Sequence, residues 1–227
     1  MKFFIAIPSA TGSVTLDTMQ SIVTLTNWLA VKQHKWLMQH TSSAMLVYSR
    51  NTLAQSFLAS DCDQLLMIDN DVGFTIHALE AIIENDHHCV GANFPSRHLD
   101  IKRFYMRARE GLPLNWCLDE ARPLVNSGVM ESNAIHIVET IGTGFLKCDR
   151  AVFQAMIDKG IAQQRLLKTL SQQEHQYDFF SPFGLDTENQ LGEDTAFSYK
   201  VRRAGYTLHL YHGPGLRHTG PMQHETL

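Results

Sequence analysis

An α/β fold with a mixed, mostly parallel central sheet flanked by helices is what this 227-residue sequence predicts. Two patterns point to it. In the N-terminal part, short apolar runs of strand length alternate with stretches of helical period, the spacing of parallel strands joined by right-handed crossovers. The run Gln64-Leu65-Leu66-Met67-Ile68 is apolar at its last four positions, as a strand buried on both faces is.

Taken in order, residues 3–7 read as a strand that stops at Pro8, followed by the small polar loop Ser9-Ala10-Thr11-Gly12-Ser13. A helix is expected over 14–32, with Met19, Ile22, Val23, Leu29 and Ala30 on one face. Residues 45–48 read as a second strand and 50–59 as a second helix. The third strand ends at the triplet Asp69-Asn70-Asp71. A helix over 76–84 and a strand over 89–93 follow. Residues 94–133 carry Pro95, Pro113 and Pro123 among the basic residues Arg97, Lys102, Arg103, Arg107 and Arg109, and read as loops and short strands. Beyond them come a strand over 135–141, the turn Gly142-Thr143-Gly144, a helix over 149–159, and a helix or loose excursion over 162–176. Gly192-Glu193-Asp194 opens a helix to about 204, Gly205 ends it as a residue past a helix terminus should, and 206–211 form a final strand.

Composition narrows the function classes. Hydrophobic residues make up 44% and charged residues 19%, a globular balance, and no run approaches the roughly 20 apolar residues of a membrane span. A formal charge of -4 argues against a broad electrostatic grip on nucleic acid. Cys62, Cys89, Cys117 and Cys148 are too scattered for a zinc site or a disulfide framework, so reduced thiols and a cytoplasmic location are expected.

The most informative chemistry is the Asp-x-Asp after the third strand. Ligands of open α/β sheets bind beyond the carboxyl ends of strands. In extended backbone, Asp69 and Asp71 point to one side, so both carboxylates can reach one hard cation able to hold a diphosphate. The same triplet also ends a strand as an Asx turn, and the residues alone leave both open.

Six pieces in order resemble the GT-A-fold, nucleotide-sugar-dependent glycosyltransferases: Ile5-Ala6-Ile7-Pro8-Ser9, Ser49-Arg50-Asn51-Thr52-Leu53-Ala54, Leu66-Met67-Ile68-Asp69-Asn70-Asp71, Gly142-Thr143-Gly144-Phe145, Gly192-Glu193-Asp194 and Arg217-His218-Thr219-Gly220. The resemblance covers most of the chain and is loosest in its central third. It implies a GT-A (Rossmann-like) sheet and a transferase, hexosyltransferase-like, that moves sugar from a UDP- or GDP-sugar to an acceptor hydroxyl. It implies Mn²⁺ or Mg²⁺ on Asp71 and Asp69, with His218 completing the shell and His212 as the fallback; imidazole favours Mn²⁺. It further implies Asp194 as the base that takes the acceptor's proton, with Glu193 orienting the acceptor and Asp186 a second candidate acid. Pro8, Ser9, Thr11, Arg50, Asn51, Asp69, Asn70 and Gly144 would line the nucleotide and sugar, and Lys102, Arg103 and Arg107 would cover the diphosphate or an anionic acceptor.

The acceptor stays open among a glycan, a lipid-linked glycan, a protein and modified DNA. Three other readings stand beside this one: a glycosyltransferase of hydroxylated bases in phage-type DNA, a non-catalytic nucleotide-sugar-binding module, and a sugar-phosphate nucleotidyltransferase. The last needs a basic, Gly-rich phosphate loop, and Ser9-Ala10-Thr11-Gly12-Ser13-Val14 holds no basic residue. With no repeat, low-complexity tract or linker, residues 1–227 are expected to form a single domain. Its nucleotide-binding half would be 1–95 and its acceptor-side half 96–227.

Overall fold

The computed structural model describes residues 1–97, 99–121, 124, 131–168, 173–184 and 190–220. In chain order the elements are β1 (Lys2–Ser9), α1 (Leu16–Val31), β2 (Lys35–Ser42), α2 (Leu46–Ala59), β3 (Gln64–Ile68), β4 (Val72–Phe74), α3 (Ile76–Ile83), β5 (Cys89–Ala92), α4 (Ile101–Arg109) and α5 (Leu114–Glu120). They continue with β6 (Ala134–Val138), β7 (Phe145–Asp149), α6 (Arg150–Asp158), β8 (Gln164–Lys168), β9 (Gln173–Tyr177), β10 (Phe183–Gly184), β11 (Gln190–Leu191), α7 (Glu193–Arg203), β12 (Leu208–His212) and β13 (Leu216–His218).

A seven-stranded sheet of order β2-β1-β3-β7-β5-β12-β6 forms the centre. β2, β1, β3, β5 and β12 run one way, and β7 and β6 run against them. This is the mixed, mostly parallel sheet flanked by helices that the sequence predicts. Period two in the strands divides the continuous apolar runs between two cores. Phe4, Ala6, Leu65 and Met67 pack with Phe57, Phe153 and Phe197 on one face. Phe3, Ile5, Ile7, Leu66 and Ile68 pack with Leu25, Leu29 and Leu79 on the other.

Several expected elements are corrected. Residues 45–48 are not a strand but the cap and first turn of α2; the second strand is β2, upstream. As an edge strand whose residues are almost all exposed, β2 shows no buried pattern to read. α1 buries Thr18, Ser21, Leu25, Trp28 and Leu29, while Met19 and Val23 face outward. Leu25, Trp28 and Leu29 of its inner face join the core, and a hydrogen bond adds to them, the Phe74 amide donating to Ser21 Oγ at 2.8 Å. The middle segment holds helices, α4 and α5; in α4, Ile101, Phe104, Tyr105 and Ala108 recur at helical spacing between basic residues, although the helix buries none of its residues. Residues 145–149, between the expected glycine turn and the expected helix, form the central strand β7, and the helix starts at Arg150. Residues 164–168 and 173–177 pair as an antiparallel hairpin.

The parallel strands converge at one rim. There Ser9 ends β1, Asp69 follows β3, Asn93 follows β5 and His212 ends β12.

Candidate functional site

Arg50 organises the rim. It lies in the second turn of α2, which descends from the rim after β2, and it is 2% exposed. Its Nη2 donates to both oxygens of Asp69 at 3.0 Å. Its Nη1 reaches Glu193 Oε1 and Asp194 Oδ1, each at 3.4 Å. One guanidinium therefore joins the acidic residue after β3 to the acidic pair that opens α7. Burial opposes its charge, but Asp69, Asp194 and Glu193 more than compensate and hold its pKa above the usual arginine value.

Asp194 sits in the first turn of α7, where free amides and the helix dipole favour a carboxylate. Its Oδ1 also accepts from the Thr143 amide at 3.2 Å and from the Thr143 hydroxyl. Burial raises its carboxyl above the ordinary aspartate range; Arg50 and Thr143 pull it down, and Glu193 and Asp69 push it up. Thr143 belongs to the Gly142-Thr143-Gly144 turn that precedes β7. Gly144 does lie close: its carbonyl accepts the Asp69 amide at 2.8 Å, and a Cβ there would fall 2.6 Å from the Phe94 ring.

A second cluster lies on the other side of Asn70. β4 and β13 pair antiparallel with His218 opposite Val72, which brings the late histidine beside Asp71. His218 Nδ1 donates to the Pro95 carbonyl at 2.9 Å, and Arg97 Nε donates to His218 Nε2 at 2.8 Å. In this arrangement Nδ1 is the ring's donor and Nε2 its acceptor. Asp71 Oδ1 lies 3.4 Å from that nitrogen, buried and without a hydrogen-bond donor, while Arg97 Nη2 holds Oδ2 at 2.9 Å.

Asp71 and His218 fit a divalent ion as a pair. Their separation matches the about 3.0–3.4 Å between neighbouring ligands whose bonds to a metal are about 2.1 Å, and oxygen plus imidazole suits Mn²⁺. Asp69 does not join them, since both its oxygens face Arg50. Among the described residues, no group of three or more His, Cys, Asp or Glu side chains converges on a cation position.

The remaining candidates line the loop between β1 and α1 or serve the scaffold. Ser9 Oγ donates to the Ser13 carbonyl at 3.0 Å and accepts from the Thr11 and Gly12 amides, so this loop is fastened by one hydroxyl. Thr11 Oγ1 meets Ser13 Oγ at 2.6 Å, and Asn70 Nδ2 donates to the Ser13 carbonyl at 2.8 Å, tying loop to acidic triplet. Pro8 lies within β1, in register with Thr41. Asn51 turns the other way: it donates to Ser181 Oγ and accepts the Phe180 amide, pinning the segment before α7. Arg103 and Arg107 are drawn to Glu120, and Lys102 lies exposed on α4. His212 pairs with Asn93, and Asp186 lies outside the described residues. The residue that sequence pattern did not single out is Arg97. Its position in a run of basic residues gave no sign that it would reach Asp71 and His218.

No protein-family model matches the chain, and no curated protein matches it in sequence. Solved structures are similar at a distance. One is a protein from STIV, at 13% identity and TM-score 0.46, covering 100% of this chain and 98% of that one. Another is a Drosophila β-1,4-galactosyltransferase 7 mutant in complex with manganese, UDP-Gal and xylobiose, at 13% identity and TM-score 0.46, covering 95% of this chain and 70% of that one. A third is the inositol-1-phosphate CTP transferase from T. maritima, at 11% identity and TM-score 0.42, covering 96% and 89%. At such identities none of these likenesses carries a substrate over to this chain.

Proposed function

We propose that the chain is a glycosyltransferase that moves a sugar from a nucleotide-diphosphate sugar, of the UDP or GDP class, to an acceptor hydroxyl. One observation carries this: Arg50 joins Asp69 to Glu193 and Asp194, so the acidic motifs after β3 and at the start of α7 share one rim.

In this reading the acceptor oxygen attacks the anomeric carbon while the bond from that carbon to the diphosphate oxygen breaks, and the diphosphate leaves with the electron pair. Asp194 takes the hydroxyl proton. Its carboxyl, raised by burial, suits a base working nearer neutrality than an exposed aspartate would. Glu193 orients the acceptor, and Arg50 fixes the base's direction. The loop held by Ser9 and Asn70 receives the nucleoside. A divalent ion on Asp71 and His218 would neutralise charge on the leaving diphosphate.

The test is a thermal-shift panel of UDP and GDP with and without Mn²⁺. The expected result is a metal-dependent rise in Tm with one nucleotide, lost in Asp71→Ala. Asp194→Ala should keep that rise and lose transfer. A flat response to every nucleotide diphosphate would overturn the donor assignment.

A further inference from the structure

We propose that Arg97 and a divalent cation are alternative occupants of the Asp71–His218 pair, so that this arginine sets how tightly the chain holds its ion. The inference rests on the metal pair of the proposed function.

Both acceptors are fixed in place. His218 is 9% exposed and Asp71 13% in their side chains. The imidazole is anchored by Pro95 and packed edge-on against the Phe94 ring, whose centroid lies 5.0 Å away. Asp71 is held through its backbone, whose carbonyl accepts the Thr219 amide at 2.9 Å. Because Nε2 carries a lone pair, it and Asp71 Oδ1 face each other as acceptor on acceptor at 3.4 Å. Such a pair demands a positive charge or a donor beside it. The Arg97 guanidinium supplies that charge, spanning imidazole and carboxylate with two of its nitrogens as a planar fork can.

Arg97 is also the partner able to leave. Its side chain is 45% exposed, so the charge-bearing end can return to water while the acceptors stay. Metal entry then needs no change in Asp71 or His218, only the departure of the arginine. A guanidinium released at this spot lies at the mouth of the site, where an anionic diphosphate would arrive.

The experiment is a Mn²⁺ titration of the full chain without nucleotide, following the electron paramagnetic resonance signal of free Mn²⁺. If Arg97 fills the pair about nine-tenths of the time, its removal tightens Mn²⁺ binding about tenfold. Arg97→Gln should show that gain, and adding Asp71→Asn should abolish it. Arg97→Lys, whose compact ammonium cannot span both acceptors, should fall between Arg97→Gln and the native chain, and it serves if Arg97→Gln fails to fold. Unchanged or weaker Mn²⁺ binding in both variants, or none in any form, would overturn the proposal. Because nucleotide is absent, the expected tightening in a chain that ignores UDP and GDP would refute the donor assignment and leave this inference standing.

Discussion

At Arg50 one buried guanidinium faces three carboxylates, and its Nε has no hydrogen-bond partner. Removing it leaves Asp69, whose side chain is 10% exposed, without its counter-charge. Arg50→Met should therefore cost about 3–5 kcal/mol, read as a lower midpoint in urea unfolding. Adding Asp69→Leu should recover part of that loss, because the stranded charge goes with it. At Asp194 the sign of the pH effect follows from a raised carboxyl pKa. A group raised on folding contributes stability that is full below its unfolded pKa and is lost as pH rises through the folded value. The stability difference between Asp194→Asn and the native chain should thus move in the variant's favour as pH rises from about 4 toward neutrality. In the proposed glycosyltransferase reading, transfer moves the other way: Asp194 acts as base only when ionised, so the native rate should fall with decreasing pH at a higher pH than an exposed aspartate would give. An acid limb at the ordinary aspartate position would remove Asp194 from the proton transfer.

Elements decide which of these side chains meet. β13 pairs with β4 in a two-stranded ribbon, and Arg217, between Leu216 and His218, grips Asp17 near the start of α1 with Nη2 at 2.7 Å. Both partners are partly exposed, so the pair adds at most about 1 kcal/mol to stability. Its effect on geometry is larger, since it fixes the strand that presents His218. Arg217→Ala should leave the unfolding midpoint almost unchanged and weaken Mn²⁺ binding several-fold. Equal Mn²⁺ affinity in calorimetry would show that the ribbon holds its register without the ion pair. β7 acts at a larger radius. It runs antiparallel between β3 and β5 and carries Lys147, fully buried, with Nζ donating to the Asn85 carbonyl at 2.9 Å and to its Oδ1 at 3.1 Å. A lysine inside a central strand breaks the apolar run that would otherwise mark it.

Over the whole molecule, the order of strands interleaves the two ends of the chain. β7 lies between β3 and β5, so residues 1–95 alone leave the inner edges of both strands unpaired. A fragment of those residues should fail to unfold cooperatively in urea, while the full chain does so. The aromatic core joins the same regions: the Phe153 ring touches Phe57, Phe179, Phe180 and Phe197. Phe153→Ala should cost about 3–5 kcal/mol, because α2, α6 and α7 lose a common contact. No described helix is long and apolar enough to cross a membrane.

The α/β class, β1, β3, β5 and the helices α1, α3, α6 and α7 were legible from the chain, because burial on one or both faces leaves a periodic trace in neighbouring residues. The acidic triplet and the Glu-Asp pair were legible for a similar reason: each lies at the end of an element whose pattern is strong. β2, α5 and β7 left little trace, being exposed or interrupted by charge, whereas α2's first turn mimics a strand with its short apolar run and α4's helical period is overlaid by basic residues. What only the folded chain decided is which charge faces which. Asp69 turned to Arg50, Asp71 to His218 and Arg97, and Asp194 to Thr143 are pairings between distant segments. Local sequence constrains backbone conformation, but the electrostatic partner of a side chain is chosen by the crossings that bring remote strands to a common rim.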